Sequence, residues 1–312
     1  MTEALSDISS TSQVTVAIAA KPRGQDALLL RPARTQGQII WGKFIRHKAA
    51  VISAVILLIL AVLCFGAPLF APYPFDAIDL RNARQAPSFA HLMGTDDLGR
   101  DVFTRILYGG RISLMVGIFA AMFSTIIGAT VGAISGYYGG LIDNALMRFT
   151  EVMIAIPTLP LLIIISSYAR ASVPVIVLVI GVLSWMATAR IVRSSVHSTK
   201  RQDFVLGARS IGCRTPSIIG RHIIPNVMGP IIVGATLGVG SAIIVESSLS
   251  FLGLGISPPT PTWGNMLQDS QATMASKPWL TLFPGLAILI TVLCINFLGE
   301  GLHDALDPTV RN

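Results

Sequence analysis

The sequence predicts an all-α integral membrane protein with six transmembrane helices. Three observations carry that prediction. The chain is 52% hydrophobic and only 12% charged, where soluble domains carry about a quarter charged residues. Its apolar residues gather in six runs, each long enough to cross a bilayer. Its basic residues fall unevenly on the segments between those runs.

Residues 1–40 are polar, rich in Ser, Thr and Gln, and without periodicity, which predicts a disordered cytosolic tail. The first apolar run, Ala49 to Ala71, follows Lys43, Arg46, His47 and Lys48. It lies too far into the chain for the apolar core of a cleaved leader and reads as a retained signal anchor. The further runs are Ile112–Tyr138, Met147–Tyr168, Val173–Ala189, Val227–Leu252 and Trp279–Leu298. Only Ala169-Arg170-Ala171-Ser172 separates the third from the fourth, which predicts a tight helical hairpin. Three parts follow: the tail 1–40, a segment 41–110 with the first span and a long extracytoplasmic stretch, and a core 111–312 containing a polar insertion at 190–226.

Charge placement orients the spans. With both termini in the cytosol, the cytosolic segments hold sixteen Lys and Arg residues and the outer segments seven, as the positive-inside rule requires. The net charge of +7 therefore marks a membrane rather than a nucleic-acid partner, and no nucleic-acid-binding motif accompanies the basic clusters. Cys64, Cys213 and Cys294 form no CxxC or metal spacing and read as free, buried thiols.

Glycine recurs every fourth residue at Gly128, Gly132, Gly136 and Gly140, and again at Gly234 and Gly238. Such a stripe lets two backbones approach closely. It fits tight packing first, and a face that lines or gates a pathway second. Glu246 lies within the fifth apolar run, where a charge costs about 2.5–3.5 kcal/mol on insertion scales. It is either a site on a pathway or a structural partner to polar neighbours. Asp96, Asp97 and Asp101 precede the second span, where they cap its helix or face an outside partner.

The insertion 190–226 predicts a helix–turn–helix. Asp203 suits a first turn; Phe204, Val205, Ala208 and Ile211 recur at helical spacing; Gly212 takes the C′ position. Thr215 and Pro216 then open a second helix that runs to Pro225. The apolar face of the first helix needs a cover, either another protein or the lipid headgroups.

Leu206-Gly207-Ala208, Gly212 and Ile224-Pro225 resemble the EAA loop of binding-protein-dependent ABC importer permeases. Leu206 stands for its Glu, Gly207 for its first Ala and His222 for its usual Ile. GTDDLGRDVF at Gly94–Phe103, SLSFLGLG at Ser248–Gly255, PPTPTWG at Pro258–Gly264 and NFLGEGLHDALDP at Asn296–Pro308 extend the likeness. Together, over Trp41 to Pro308, they resemble the second permease subunit of the dipeptide, oligopeptide and nickel importer family.

The resemblance implies a type I importer permease fold in a bacterial inner membrane. Its implied partners are a sister permease forming a heterodimer, two cytosolic ATP-binding subunits, an extracytoplasmic solute-binding protein and the surrounding lipid bilayer. It further implies that Asp203, Phe204, Val205, Leu206, Gly207, Ala208, Arg209, Gly212 and Pro225 couple the chain to an ATPase. No cofactor and no catalysis are expected: GxxxxGK[ST] and HExxH are both lacking, and no carboxylates pair within a span. The competing class is a secondary transporter or channel, which calls for more ionisable or unwound sites within the membrane.

Overall fold

The computed structural model describes residues 35–168 and 172–306. The expectations for the tail before Thr35, for the hairpin turn at 169–171 and for the end of the Asn296–Pro308 motif fall outside them. The chain divides into two units, 1–39 and 40–312, and the second contains every element that follows except the start of the first helix.

The helices in order are α1 (Gln36–Arg46), α2 (Lys48–Phe65), α3 (Val102–Tyr138), α4 (Gly140–Ala155), α5 (Thr158–Tyr168) and α6 (Val173–Leu183). They are followed by α7 (Met186–Thr199), α8 (Asp203–Ser210), α9 (Met228–Phe251), α10 (Trp263–Asp269) and α11 (Trp279–Leu306). Among the described residues there is no strand, only an isolated bridge between Thr95 and Asp101.

Four helices are long and apolar enough to cross a membrane unbroken: α2, α3, the run Thr215–Phe251 that ends in α9, and α11. Two bent pairs, α4 with α5 and α6 with α7, bring the total to six if each pair is one span. The first pair bends by 80°. Pro157 stands at that break, and its missing N–H removes a helix hydrogen bond. The third apolar run, Met147–Tyr168, thus falls on two helices. The second pair bends by 46° at Ser184 and Trp185, where the sequence carries no proline.

Several boundaries differ from the hydropathy reading, α4 starting at Gly140 and α11 running on to Leu306 among them, and two differ for one shared reason. The helix of the second span starts at Val102 rather than Ile112, and that of the fourth continues past Ala189 to Thr199. Arginines end both apolar runs, yet the packing face continues beneath them. Ala189, Val192, Val196 and Thr199 are all buried at helical spacing along α7. They lie against the glycine stripe of α3. A Cβ on Gly128 would stand 2.7 Å from the Trp185 carbonyl oxygen, and one on Gly136 2.6 Å from that of Arg193. The stripe is therefore an interface between backbones. Gly140 lies outside it: it has φ +56, and a Cβ there would meet nothing.

At the opposite end of α3, Asp101 accepts the Thr104 N–H at 2.8 Å and caps the helix. Asp96 and Asp97 do not cap it. Asp96 accepts the N–H groups of Leu98 and Arg100 and pairs with the Arg100 guanidinium, while Asp97 pairs with Arg84. α10 then wedges Trp263 between α3 and its neighbours. The ring is fully buried, and its Nε1 donates to the Ile106 carbonyl at 3.0 Å. Gly110 makes room for that ring, since a Cβ there would stand 2.6 Å from Trp263 Cζ2. At the far end Gly301 of α11 packs on Ala50 of α2 and on His47, the residue that caps α2.

Large apolar side chains remain open on the outer faces, among them Ile52, Val55, Leu58, Ile59 and Val62 of α2. A continuous apolar exterior of this kind is what lipid solvates.

Candidate functional site: the α8 helix and its seat

α8 follows Gln202 in extended backbone and closes on a Schellman turn. The Cys213 N–H donates to the Ala208 carbonyl at 3.1 Å, and the Gly212 N–H to that of Arg209 at 3.0 Å. Gly212 carries the φ of +81 that this closure demands.

The helix has two faces. Val205 and Ala208 turn inward and are buried at 1% and 6% exposure. Val205 joins a cluster with Tyr137, Val196, Ile218 and Ile223. The expectation that the apolar face needs an outside cover is corrected here for these two residues, because the chain itself covers them. Phe204, Leu206 and Ile211 are exposed, Ile211 at 81%. Phe204, Gly207 and Ile211 share one side at helical spacing. A Cβ on Gly207 would meet nothing within 4 Å, so nothing in this chain requires a glycine there.

Polar contacts fix the seat. The Arg209 Nη2 donates to the Tyr137 hydroxyl at 3.2 Å, and its guanidinium lies 5.7 Å from the centre of that ring. The Lys200 ammonium donates to the carbonyls of Gly136 and Tyr137 at 2.7 and 3.1 Å. It thereby satisfies the end of α3 and its dipole. Burial, helped by Arg201, lowers the proton affinity of Lys200 below the ordinary lysine range. Beside them, Arg193 of α7 grips Asp143 of α4 through Nε and Nη2, each at 2.5 Å, and Ser135 of α3 donates to the same carboxylate. This bidentate pair ties three helices together.

The chain beyond Gly212 departs in detail from the expected second helix. Arg214 is its N-cap, and Thr215 is already inside. The helix does not stop at Pro225. It passes through a π-helical turn at Ile218–Ile223 and a 3₁₀ turn at Ile224–Val227 into α9. Pro225 therefore deforms a continuous rod rather than ending it. The Asn226 side-chain amide donates to the His222 carbonyl at 2.6 Å within this deformed stretch.

Glu246 lies at the other end of α9 and is fully buried. Its carboxyl accepts from Ser250 at 2.8 Å, Ser113 at 3.2 Å and Ser247 at 3.4 Å. Ser113 in turn accepts the Trp263 backbone N–H at 3.3 Å. One carboxyl thus joins α3, α9 and α10. The glycines of α9 behave differently from those of α3: a Cβ on Gly234 would meet nothing, and one on Gly238 only Ala121 at 3.5 Å. Both border a cleft of about 230 Å³ whose walls include Ser124, Thr188 and Ser241.

Among the described residues, no three His, Cys, Asp or Glu side chains converge as a metal site. Cys64 and Cys294 are buried free thiols, whereas Cys213 is only half-buried. Sequence reasoning missed Tyr137, Asp143, Arg193 and Lys200 as partners in the seat. Asp143 and Arg193 lie 50 positions apart, and no local pattern connects them.

A family model described as the inner-membrane component of binding-protein-dependent transport systems matches residues 128–312. A second, the N-terminal TM domain of oligopeptide transport permease C, matches residues 35–87. The chain is 41% identical over 267 residues to the dipeptide transport system permease protein DppC of Alkalihalophilus pseudofirmus, covering 86% of this chain and 88% of that one. It is 42% identical over 282 residues to the oligopeptide transport system permease protein OppC of Haemophilus influenzae, covering 88% and 91%. To the glutathione transport system permease protein GsiD of Pectobacterium atrosepticum it is 38% identical, covering 90% and 94%. Among solved structures, a chain of the MetNI methionine ABC transporter in an inward-facing form superposes with a TM-score of 0.50 at 16% identity, covering 66% of this chain and 97% of that one.

Proposed function

Because the chain belongs to the family of inner-membrane components of binding-protein-dependent transport systems, and is thus a permease of an ABC importer, we propose that it imports di- or oligopeptides as one half of a heterodimer with a sister permease. Relatives named for dipeptides and oligopeptides support the substrate class. In this reading two ATP-binding subunits sit on the α8 end, and a solute-binding protein meets the α10 end. Both termini lie in the cytosol, in keeping with sixteen basic residues on that side against seven on the other. Residues 1–40 are a cytosolic tail, 41–110 the first span with its outer segment, and 111–312 the permease core.

The exposed face of α8 carries the mechanism. Phe204, Gly207 and Ile211 form a shallow apolar surface on a helix whose other face is held by Val205, packed with Tyr137 of α3, Ile218 and Ile223, and by Arg209 on the Tyr137 hydroxyl. Such a surface binds a complementary cleft on an ATPase, and the held face passes the displacement into the bundle. Gly212 fixes the angle between α8 and the rod that continues into α9. Glu246 is a structural clasp at the outer end, holding α10 to α3 and α9. The chain holds no catalytic group of its own in this account, and ATP hydrolysis belongs to its partners.

The test is cysteine cross-linking of Ile211→Cys to the ATPase subunits, combined with uptake into vesicles. Cross-links that change yield between nucleotide-free and ATP-bound states support the reading. Uphill uptake by the chain reconstituted alone, without any ATPase, would sink it and leave a secondary transporter.

A further inference from the structure

We infer that the groove between α7 and α9 carries the cargo to the cytosol, and that hydroxyls at its head bind the cargo's neutral amide groups. The inference deepens the importer reading above and rests on it.

Two cavities make up the groove. The upper one, about 230 Å³, lies among α3, the bend between α6 and α7, and α9. The lower one, about 460 Å³, lies between α7, α9 and the end of α11, where His303 and Leu306 line it. Ile191, Gly234 and Leu237 line both, so one runs into the other. The lower volume falls within the roughly 300–1,000 Å³ of small-molecule pockets. Glycine keeps the junction open: a Cβ on Gly234 would meet nothing within 4 Å.

Hydroxyls at the head of the groove lack the partners that others in the spans find. Thr130, Thr236, Ser248 and Thr291 each donate to the carbonyl four residues back, at 2.7–2.9 Å. Ser124, Thr125, Ser184 and Thr188 line the upper cavity, and their hydroxyls have no hydrogen-bond partner among the described residues. Ser124 is only 6% exposed. Yet its oxygen is not sealed in, as the unpaired Thr104 Oγ1, Arg105 Nη1 and Trp279 Nε1 are. What access it keeps is to the cavity it lines.

Ser184 adds a backbone group. It stands at the 46° bend between α6 and α7, and its N–H has no partner among the described residues either. Irregular backbone at membrane depth persists only where protein buries it or where it lines a wet cavity. The bend that no proline announces thus leaves a free donor beside the four hydroxyls.

None of the described residues lining the upper cavity is ionisable. A hydroxyl both donates and accepts, which the alternating N–H and C=O groups of a peptide require. Fixed charge would hold cargo of one sign and repel the other, whereas transport needs binding weak enough to release. Lipid tails are excluded as the occupant, since hydrocarbon offers a hydroxyl no partner. The site therefore reads the main chain that all peptides share and leaves their side chains unread.

The experiment measures ATP-driven uptake of radiolabelled trialanine into proteoliposomes holding the complete importer and its binding protein. Thr188→Val keeps the methyl that packs on Gly128 and removes only the hydroxyl. Combined with Ser124→Ala, it should lower uptake roughly tenfold at unchanged thermal stability, the scale of two lost hydrogen bonds. Thr236→Val, whose hydroxyl is already paired within α9, should leave uptake unchanged. Thr188→Lys should slow Ala-Lys-Ala more than Ala-Glu-Ala, a selectivity that a merely structural residue does not create. Gly234→Leu, which puts a side chain into open groove, should abolish most uptake while the sister permease still copurifies. Ser241→Cys, in a Cys213→Ser background, should react with a membrane-impermeant maleimide applied at the cytosolic face.

Equal uptake of the two charged peptides by Thr188→Lys overturns the amide site. Normal uptake by Gly234→Leu overturns the path, and so does loss of its sister permease, which would make the groove an interface between permeases. A Ser241→Cys that never labels overturns it as well. If the Thr188 variants fail to fold, the Gly234 and Ser241 measurements still decide. A wild-type complex without ATP-driven uptake of trialanine would instead remove the peptide-importer reading on which the site rests.

Discussion

The two ends of the bundle are built on opposite principles. At the α10 end, glycines clear space for buried rings and backbones: Gly110 for Trp263, and Gly264 against Ser247, where a Cβ would stand 2.7 Å from backbone atoms. Glu246 and Trp263 are wholly enclosed. At the α8 end, a short helix rests on two buried side chains and a few polar contacts, with Phe204, Leu206 and Ile211 left open. One end is closed by close packing and the other is held by a few replaceable contacts. The contrast teaches that residues locked against backbone resist change, while a helix resting on a few side chains, with Phe204, Leu206 and Ile211 open, can be displaced.

The largest effect is expected from overfilling the enclosed end. Gly264→Val forces a branched side chain into the Ser247 backbone, a type of overpacking that costs about 1–3 kcal/mol or more. Loss of monodisperse protein on fluorescence-detected gel filtration checks it, and a normal profile would show that α10 is looser than the geometry says. Gly212→Val comes next: a branched residue at φ +81 costs roughly 1–2 kcal/mol. It should abolish most uptake while membrane insertion persists, and normal uptake would remove Gly212 from the coupling path.

Glu246→Gln keeps the shape but turns half of the carboxyl into a donor facing hydroxyls. A loss of about 1–2 kcal/mol in stability with import preserved fits a clasp. Lost import with unchanged thermal stability would make it a pathway residue instead. The smallest change in stability, within about 0.5 kcal/mol, is expected for Ile211→Ser because the side chain is open. Its effect should appear in ATPase coupling alone, read as hydrolysis that no longer responds to the solute-binding protein.

Much of this architecture could be read from the residues, and the failures share a cause. Apolar runs located the spans because lipid imposes a continuous hydrophobic exterior. The same reading stopped α7 at Ala189, since Arg190 and Arg193 interrupt hydropathy while Val192 and Val196 continue the packing face beneath them. Hydropathy reports what faces lipid, whereas helix length also follows what faces a neighbour. The glycine stop after α8 was legible because a local hydrogen-bond pattern needs it. The seat was not, because Tyr137, Lys200 and Arg209 come together only through the path of the chain. Likewise the 46° bend at Ser184 has no proline to announce it, while the bend at Pro157 does.

The uninterrupted helix from Thr215 to Phe251 joins those two ends directly. Its 37 residues span roughly 55 Å at the usual rise per residue, and a tilt of only about ten degrees displaces one tip by roughly 10 Å relative to the other by simple trigonometry on that length. Its π-helical and 3₁₀ turns lie within the thirteen residues nearest α8, so any bending is absorbed there and the rest of the shaft turns as one piece. Because Glu246 ties the far tip to α3 and α10, a nudge at the soft base is passed to those helices together with the shaft.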